Sequence, residues 1–363
     1  ETRQSEEAAL KRLLSGIDLK KSKTIVVINS PQTDMKTITA PYMPKSELRE
    51  GVRLAAKNYF PFPVDESFLD FEILGDIVDG GVKKYEIAVA ASPKKTANKY
   101  LSLLQKAGIK PASLVPASYA LKKAAEGLCG NDDRSRCFID IGKTYAELII
   151  LKGKHQEFIR KIPVAGDDFT KALTQVLASD RGRLELSFSE AENIKLETGI
   201  PSGTETKIIG NKISTAQIKS MLMTPLENLT GEVGRCFDYY RELSKGAKID
   251  SVVLFGGGSF LGGLVKSLSE GLGIDVKLGD SARFELAMGA AMSSSAGVNL
   301  LPLEIKEASK VILRRGAFEA VATALVLISV LVYIGLKIKL NSLDKRISAA
   351  SLELSRPSHF RDK

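Results

Sequence analysis

Between residues 23 and 115, short β-branched runs alternate with stretches whose apolar positions recur at helical spacing. Thr24–Ile28 reads as a strand, ended by Asn29-Ser30-Pro31. Lys45–Tyr59 reads as a helix because Leu48, Val52, Ala55 and Tyr59 share one face, and Pro61 and Pro63 stop it. Phe68–Leu74 and Tyr85–Ala91 read as strands around the turn signal Asp79-Gly80-Gly81. Lys94–Ala107 predicts a second helix, with Ala97, Leu101 and Leu104 inward and Gly108 just past its end. A surface helix is expected over Glu1–Leu14, with Ala8, Ala9 and Leu13 on its apolar side. Strands alternating with helices predict α/β or α+β layers.

A second block opens at Cys137-Phe138-Ile139-Asp140-Ile141-Gly142, an apolar strand ending in Asp and then Gly. Ala146–Leu151 and Glu157–Val164 read as the strands that follow, and Asp167 or Asp168 stands where a cap for a helix beginning at Phe169 belongs. Ser189–Leu196 and Met221–Leu243 predict helices, the latter with Leu222, Leu226, Leu229, Val233 and Phe237 on one face. Ser251–Phe255 predicts a buried strand running into Gly256-Gly257-Gly258-Ser259, with Leu264–Leu272 as the next helix.

The pattern changes near the end. Residues 316–336 form an apolar run of 21 residues whose one charge is Glu319. As a helix it is about 31 Å long, enough to cross a hydrocarbon core. Lys306, Lys310, Arg314 and Arg315 precede the run, and Lys337, Lys339, Lys345 and Arg346 follow it, so charge counting gives no orientation. Beyond it Leu336, Leu340, Leu343, Ile347, Ala350 and Leu354 recur at alternating steps of four and three. That seam predicts a short coiled coil ended by Pro357.

Composition adds little to this picture. The chain has 363 residues, 44% hydrophobic and 26% charged, within the ordinary range for globular proteins. The net charge of +9 is spread along the chain with several cations flanking the apolar run, a placement that favours a membrane surface over nucleic acid. Cys129, Cys137, Cys236, His155 and His359 have no metal-ligand spacing and suit reduced thiols in a cytoplasmic domain.

Two places carry candidate chemistry. The strand-GGGS-helix pattern at Gly256–Ser259 allows close backbone approach to a flat or phosphorylated ligand, or a tight turn with no ligand. Asp140, on a strand end beside Gly142, is positioned either to hold hydrated Mg²⁺ against phosphates or to end a strand in a turn. No Walker motif, nucleophile elbow or paired histidine is present.

Pro41-Tyr42-Met43-Pro44 with Glu47-Leu48, then Asn58-Tyr59-Phe60-Pro61-Phe62-Pro63-Val64-Asp65-Glu66, closely resembles the PilM family of type IV pilus assembly proteins. That resemblance implies an α/β, actin-like (ribonuclease H-like) two-lobe ATPase fold like that of FtsA, with an inserted small subdomain. Phe138–Gly142 looks like its second phosphate loop, and Arg160–Thr170 like its xxIPxGGxxxT stretch. Ala191–Lys195 is similar to the AExxK helix beside the adenosine, and Leu254–Leu264 looks like the adenosine loop. The nucleotide-binding residues so implied are Asp140, Gly142, Lys143, Thr144, Glu192, Lys195, Gly256, Gly257, Gly258 and Ser259, with ATP and Mg²⁺ as cofactors and Asp140 holding the metal through water. Val298-Asn299-Leu300-Leu301-Pro302, the basic stretch and the apolar run then look like the start of PilN, whose NLLP peptide docks onto PilM from a separate chain. The type II secretion protein GspL has a similar single-chain plan.

The implied organisation is a first lobe at 1–33 and 110–135, an inserted subdomain at 34–109 and a second lobe at 136–295. A PilN-like peptide and basic linker follow at 296–315, then the span at 316–336 and a coiled-coil start at 337–363. It also implies a single pass through the bacterial inner membrane, with the N-terminal part cytoplasmic and the coiled coil periplasmic. Partners expected on this basis are PilN- or PilO-like proteins, the assembly ATPase, the platform protein and further copies of the chain. The pattern departs from the family in two places. No DxG phosphate hairpin precedes the first helix, and Lys143 and Tyr145 stand where small residues usually follow the loop glycine. Each departure weakens nucleotide binding by a few kcal/mol, so weak binding or none and no useful hydrolysis are expected. A scaffold is the expected role; an ATP-binding actin-like ATPase regulating pilus assembly or secretion is the alternative.

Overall fold

The computed structural model describes residues 2–19, 22–175, 177–179, 182–202, 206–209, 213–293 and 297–354. The chain forms two compact units, Glu1–Leu301 and Pro302–Lys363.

The first unit opens with α1 (Thr2–Leu13) and β1 (Ile25–Ile28), followed by β2 (Asp34–Pro41) and α2 (Lys45–Ala56). Then come β3 (Ser67–Asp79), β4 (Val82–Pro93) and α3 (Lys94–Lys106). The β3–β4 hairpin is longer than its periodicity predicted. Asp79 pairs with Val82 across Gly80-Gly81, both at positive φ (58° and 80°), so the two glycines make the tight turn that matches strand twist. β2 was not legible as a strand, because its polar Lys36, Thr37 and Thr39 dilute the apolar alternation. It pairs antiparallel with β4 to complete a three-stranded sheet of order β2-β4-β3. Alternation along β4 divides two cores. Tyr85, Ile87, Val89 and Ala91 pack with Leu48, Val52 and Ala56 of α2. Ala88 and Ala90 join a different cluster, with Ile28, Leu114 and Phe138.

β5 (Ser113–Pro116) runs parallel to β1, and α4 (Ala117–Leu128) leads on to β6 (Ser135–Ile141), β7 (Ala146–Lys152) and β8 (His155–Ile162). Helices α5 (Gly166–Leu173), α6 (Phe188–Thr198) and α7 (Thr215–Leu243) follow. Two small hairpins lie among them, β9 (Leu177–Ser179) with β10 (Gly182–Leu184), and β11 (Ile208–Ile209) with β12 (Ile213–Ser214). α7 starts six residues before the expected Met221, because Ser214 and Gln217 form a reciprocal capping box. The unit closes with β13 (Ser251–Phe255), a 3₁₀ turn at Gly257–Phe260, α8 (Leu264–Leu272), β14 (Val276–Leu278) and α9 (Glu285–Met292).

Strands β14, β13 and β6 are parallel neighbours and β7 and β8 extend the sheet antiparallel, in the order β14-β13-β6-β7-β8. Both faces are covered, which is why these strands read as nearly continuous apolar runs. Cys137, Ile139 and Ile141 face the cluster built with α5, α7 and α8, while Phe138 faces the one shared with β1, β5, α4 and α9. Asp140 is thus turned to the β1 side, the side of the cleft.

α4 and α9 approach closely through Gly289. A Cβ there would stand 1.8 Å from the Ala120 carbonyl oxygen, and backbone cannot yield cheaply. Gly289→Ala is expected to destabilise the unit by about 3 kcal/mol or more. Gly234→Ala in α7, where a Cβ meets nothing within 4 Å, should be neutral or stabilising by about 0.5–1 kcal/mol. Thermal unfolding of the two variants in detergent compares them directly.

The second unit contains α10 (Leu303–Leu354), 52 residues long. Among the described residues its stretch Leu325–Ser351 is long and apolar enough to cross a membrane. Lys339, Asp344, Lys345 and Arg346 lie in the second half of that stretch and Lys337 just before its middle, so its charge-free part is Leu325–Leu336, which overlaps the run expected at 316–336. Side chains of residues 307–322, 324 and 352–354, and everything after Leu354, including Pro357, lie outside what the structure describes. Leu336, Leu340, Leu343 and Ile347 are exposed on the helix surface.

Candidate functional site

Two loops at the ends of adjacent parallel strands face one another. β6 ends at Ile141, and the Gly142 N–H donates to the Tyr145 carbonyl, 3.1 Å, to turn the chain into β7. This loop is tied to the start of α5 by Gly166 N–H to Gly142 O, 3.1 Å, and Asp167 N–H to Lys143 O, 2.8 Å. Opposite, β13 gives way to Gly256-Gly257-Gly258. Gly256 has φ 82°, and a Cβ there would fall 2.1 Å from Asp140 Oδ1. A Cβ on Gly258 would fall 2.5 Å from the Ile141 side chain. These two glycines therefore let the loops touch, whereas Gly257 borders open space.

The loops enclose a cleft of about 600 Å³. Asp140, Gly142, Lys143, Glu192, Lys195, Gly256, Gly257 and Gly258 all line it. Two residues of the expected set do not. Thr144 is exposed in the β6–β7 turn, and Ser259 is buried and donates to the Gly256 carbonyl, 2.6 Å, holding the 3₁₀ turn in shape. The cleft also takes in Asn29, Phe188, Arg283 and Glu285, which no motif marked.

Burial pushes Asp140 up to about 6 and Glu285 up to about 7, the nearby Asp140 charge adding to the second shift. The Glu192–Lys195 pair is committed within the fold. Lys195 Nζ donates to Glu192 Oε2 at 2.7 Å, Thr170 Oγ1 at 2.8 Å and the Gly166 carbonyl at 3.1 Å. Burial pushes Glu192 up, but hydrogen bonds from Lys195 and Thr170 more than offset it and leave the group below the ordinary carboxylate value. Lys195 thus braces α6 against α5 and the loop behind it. Tyr145, the bulky residue after the loop, donates to Asn29 Oδ1 at 2.5 Å and lies under the Lys161 ammonium, 4.7 Å from its ring centre. Lys161 in turn donates to the Ser30 and Thr33 carbonyls, so Tyr145 and Lys161 fasten the β6–β7 loop to the chain after β1.

A second site lies on the far edge of β5. The Leu300 N–H donates to the Leu114 carbonyl, 2.7 Å. Asn299 Oδ1 accepts from the N–H groups of Leu114, 3.1 Å, and Leu301, 3.0 Å, while its own N–H donates to Asp70 Oδ2 of β3, 3.1 Å. Val298, Leu300 and Leu301 are buried in the cluster with Ile28, Leu114 and Tyr119. A Cβ on Gly297 would lie 2.0 Å from the Tyr119 hydroxyl. Asn299, Leu300 and Leu301 thus dock on their own chain, with β5 on one side and Asp70 of the three-stranded sheet on the other. Pro302 begins the second unit.

A family model described as type IV pilus assembly protein PilM matches residues 2–295. The chain belongs to the PilM family. Among solved structures, a PilM-PilN type IV pilus biogenesis complex is similar, with a TM-score of 0.65 and 25% identity over 79% of this chain and 84% of that one. More distant likenesses are MreB5 of Spiroplasma citri bound to ADP (TM-score 0.43, 17% identity, 55% of this chain and 64% of that one) and the ethanolamine utilization protein EutJ from Carboxydothermus hydrogenoformans (TM-score 0.41, 18% identity, 56% and 62%). The fold is the actin-like one that the PilM resemblance implied. The PilM match ends at residue 295, two residues before the docked Gly297–Leu301 segment begins.

Proposed function

We propose that this PilM-family protein is an inner-membrane structural component of type IV pilus assembly that carries its own PilN-like anchor. In this reading residues 1–33 and 110–135 form the first lobe, 34–109 the inserted subdomain and 136–295 the second lobe. Residues 296–315 are the peptide and linker, 316–336 cross the membrane, and 337–363 begin a periplasmic coiled coil. The cytoplasmic lobes gather the assembly ATPase and the platform protein, and the coiled coil meets a PilN- or PilO-like partner. Several copies act together.

One observation carries the reading: Asn299 is held by Leu114 and Leu301 and its backbone by Asp70, within the chain that also contains the apolar run. A similar structure is a complex of PilM with PilN, and in this reading the Asn299 contacts are its counterpart within one chain. Covalent linkage gives the segment a millimolar effective concentration, so the groove stays filled without a separate chain. The type II secretion protein GspL, with a similar plan, offers the same role in another machine.

The test is loss of function in the source cell. Deleting the gene should abolish surface pili, and re-expression of a chain cut before residue 316 should fail to restore them. Unchanged piliation in the deletion strain rejects the proposal. The alternative, an ATP-binding regulator, is favoured by the cleft and its glycine loops. Isothermal titration with ATP and Mg²⁺ separates the two, because tight binding abolished by Asp140→Ala and by Gly257→Val assigns the chain to the second class. Gly257 suits this use, since a side chain there grows into the cleft without striking protein.

A further inference from the structure

Of the four carboxylates that line the cleft, Asp140, Asp167, Glu192 and Glu285, two are deeply buried. Glu285, the first residue of α9, is 4% exposed, and Asp140 is 7% exposed. Both line the cleft beside Gly256, whose missing side chain leaves room for Asp140 Oδ1 and whose backbone acts to lower the Glu285 carboxyl. Glu285 Oε2 is buried and has no hydrogen-bond partner in the protein. Neither carboxylate makes an ion pair with a lysine or arginine among the described residues. Of the basic groups lining the cleft, Lys195 is taken by Glu192, Arg283 lies on the Phe260 ring at 4.6 Å, and Lys143 is exposed at the mouth.

The backbone at Glu285 and Gly256 hydrogen-bonds this carboxyl in part, but its Oε2 is left without a donor. A buried carboxylate oxygen lacking a donor is costly, and an anionic ligand entering beside two buried carboxylates makes it costlier. A small hard cation removes both penalties. Among the described residues no group of three metal-ligating side chains exists, so a cation held by the two buried carboxylates takes its other ligands from water or phosphate. That is the ligand supply Mg²⁺ or Mn²⁺ accepts, and it is too sparse for zinc or for a dedicated calcium cage. We propose that Glu285 is the second carboxylate of a divalent-cation site in the cleft, and that together with Asp140 it makes cation and polyphosphate binding mutually dependent. This goes beyond the scaffold role and stands whether or not ATP is hydrolysed.

Mn²⁺ titration of the detergent-solubilised full chain, followed by electron paramagnetic resonance, tests it. Wild-type protein should bind one Mn²⁺, more tightly with pyrophosphate present. Glu285→Gln should weaken Mn²⁺ at least about tenfold, because even outer-shell substitutions cost 10–100-fold. Unchanged Mn²⁺ affinity in a folded Glu285→Gln variant overturns the proposal. Should that variant not fold, bound Fe²⁺ with ascorbate and peroxide on the wild-type chain replaces it. Backbone cleavage near residues 140, 256 and 285 supports the site; cleavage elsewhere or none rejects it. A failure here leaves the deletion test untouched, and the converse also holds.

Discussion

Asn299→Ala is expected to lower the stability of the globular unit by about 2–4 kcal/mol, since two backbone N–H groups lose their acceptor at ~1–3 kcal/mol each. Those groups belong to Leu114 and Leu301, and no other residue of the docked segment serves both. The loss is local before it is global. Amide exchange at Leu114 and Leu301 should accelerate first, followed by release of Val298 and Leu300, which are otherwise fully buried. Asp70→Asn is the comparison: it keeps an oxygen for the Asn299 N–H and weakens the half-exposed Arg49 pair, worth about 0–1 kcal/mol. If exchange at Leu114 is the same in Asn299→Ala as in the wild type, the segment is not held by that side chain and the cis anchor is wrong.

Glu147→Leu is expected to stabilise the fold at pH 8 by several kcal/mol. Glu147 sits on β7 opposite Asp140, is 1% exposed, and neither of its oxygens has a partner. Burial pushes its carboxyl up to about 8; Lys161 nearby acts to lower it, and Asp34 and Asp140 to raise it. The sign follows from proton counting. Between the unfolded value, 4.5, and the folded one the native state holds the extra proton, so stability falls as pH rises through that window. At ~1.4 kcal/mol per unit the ionised group costs on the order of 3–5 kcal/mol at pH 8. Leucine removes that cost together with the neutral group's own burial penalty, ~1–3 kcal/mol. Melting curves at pH 5 and pH 8, taken with chelator, should therefore separate more widely in the wild type than in the variant, which keeps only the smaller pH dependence of Asp140 and Glu285. Equal pH dependence in the two proteins rejects the argument.

The periodic signals were the most legible part of the chain. The α8 helix, the β6 strand, the Gly80-Gly81 turn and the apolar stretch of α10 each satisfy a repeat that a local window contains. Both glycine loops were legible too, because strand-Gly at Ile141-Gly142 and Phe255-Gly256 is a local pattern. β2 was not, since its polar alternate positions make sense only once β4 lies beside it.

The sequence by itself determined which faces must be buried, where the chain must turn, and that residues 316–336 are apolar enough to leave water. Those properties follow from neighbours three or four positions apart. Only the tertiary structure decided that Asn299 meets Asp70, 229 positions away, that Glu285 lines the same cleft as Asp140, and that Lys195 is bonded to Glu192. The physical reason is that a hydrogen bond or a shared carboxylate site depends on distances of a few ångströms, which chain order does not fix. Glu285, which belongs to no local pattern, came to line the cleft only through packing.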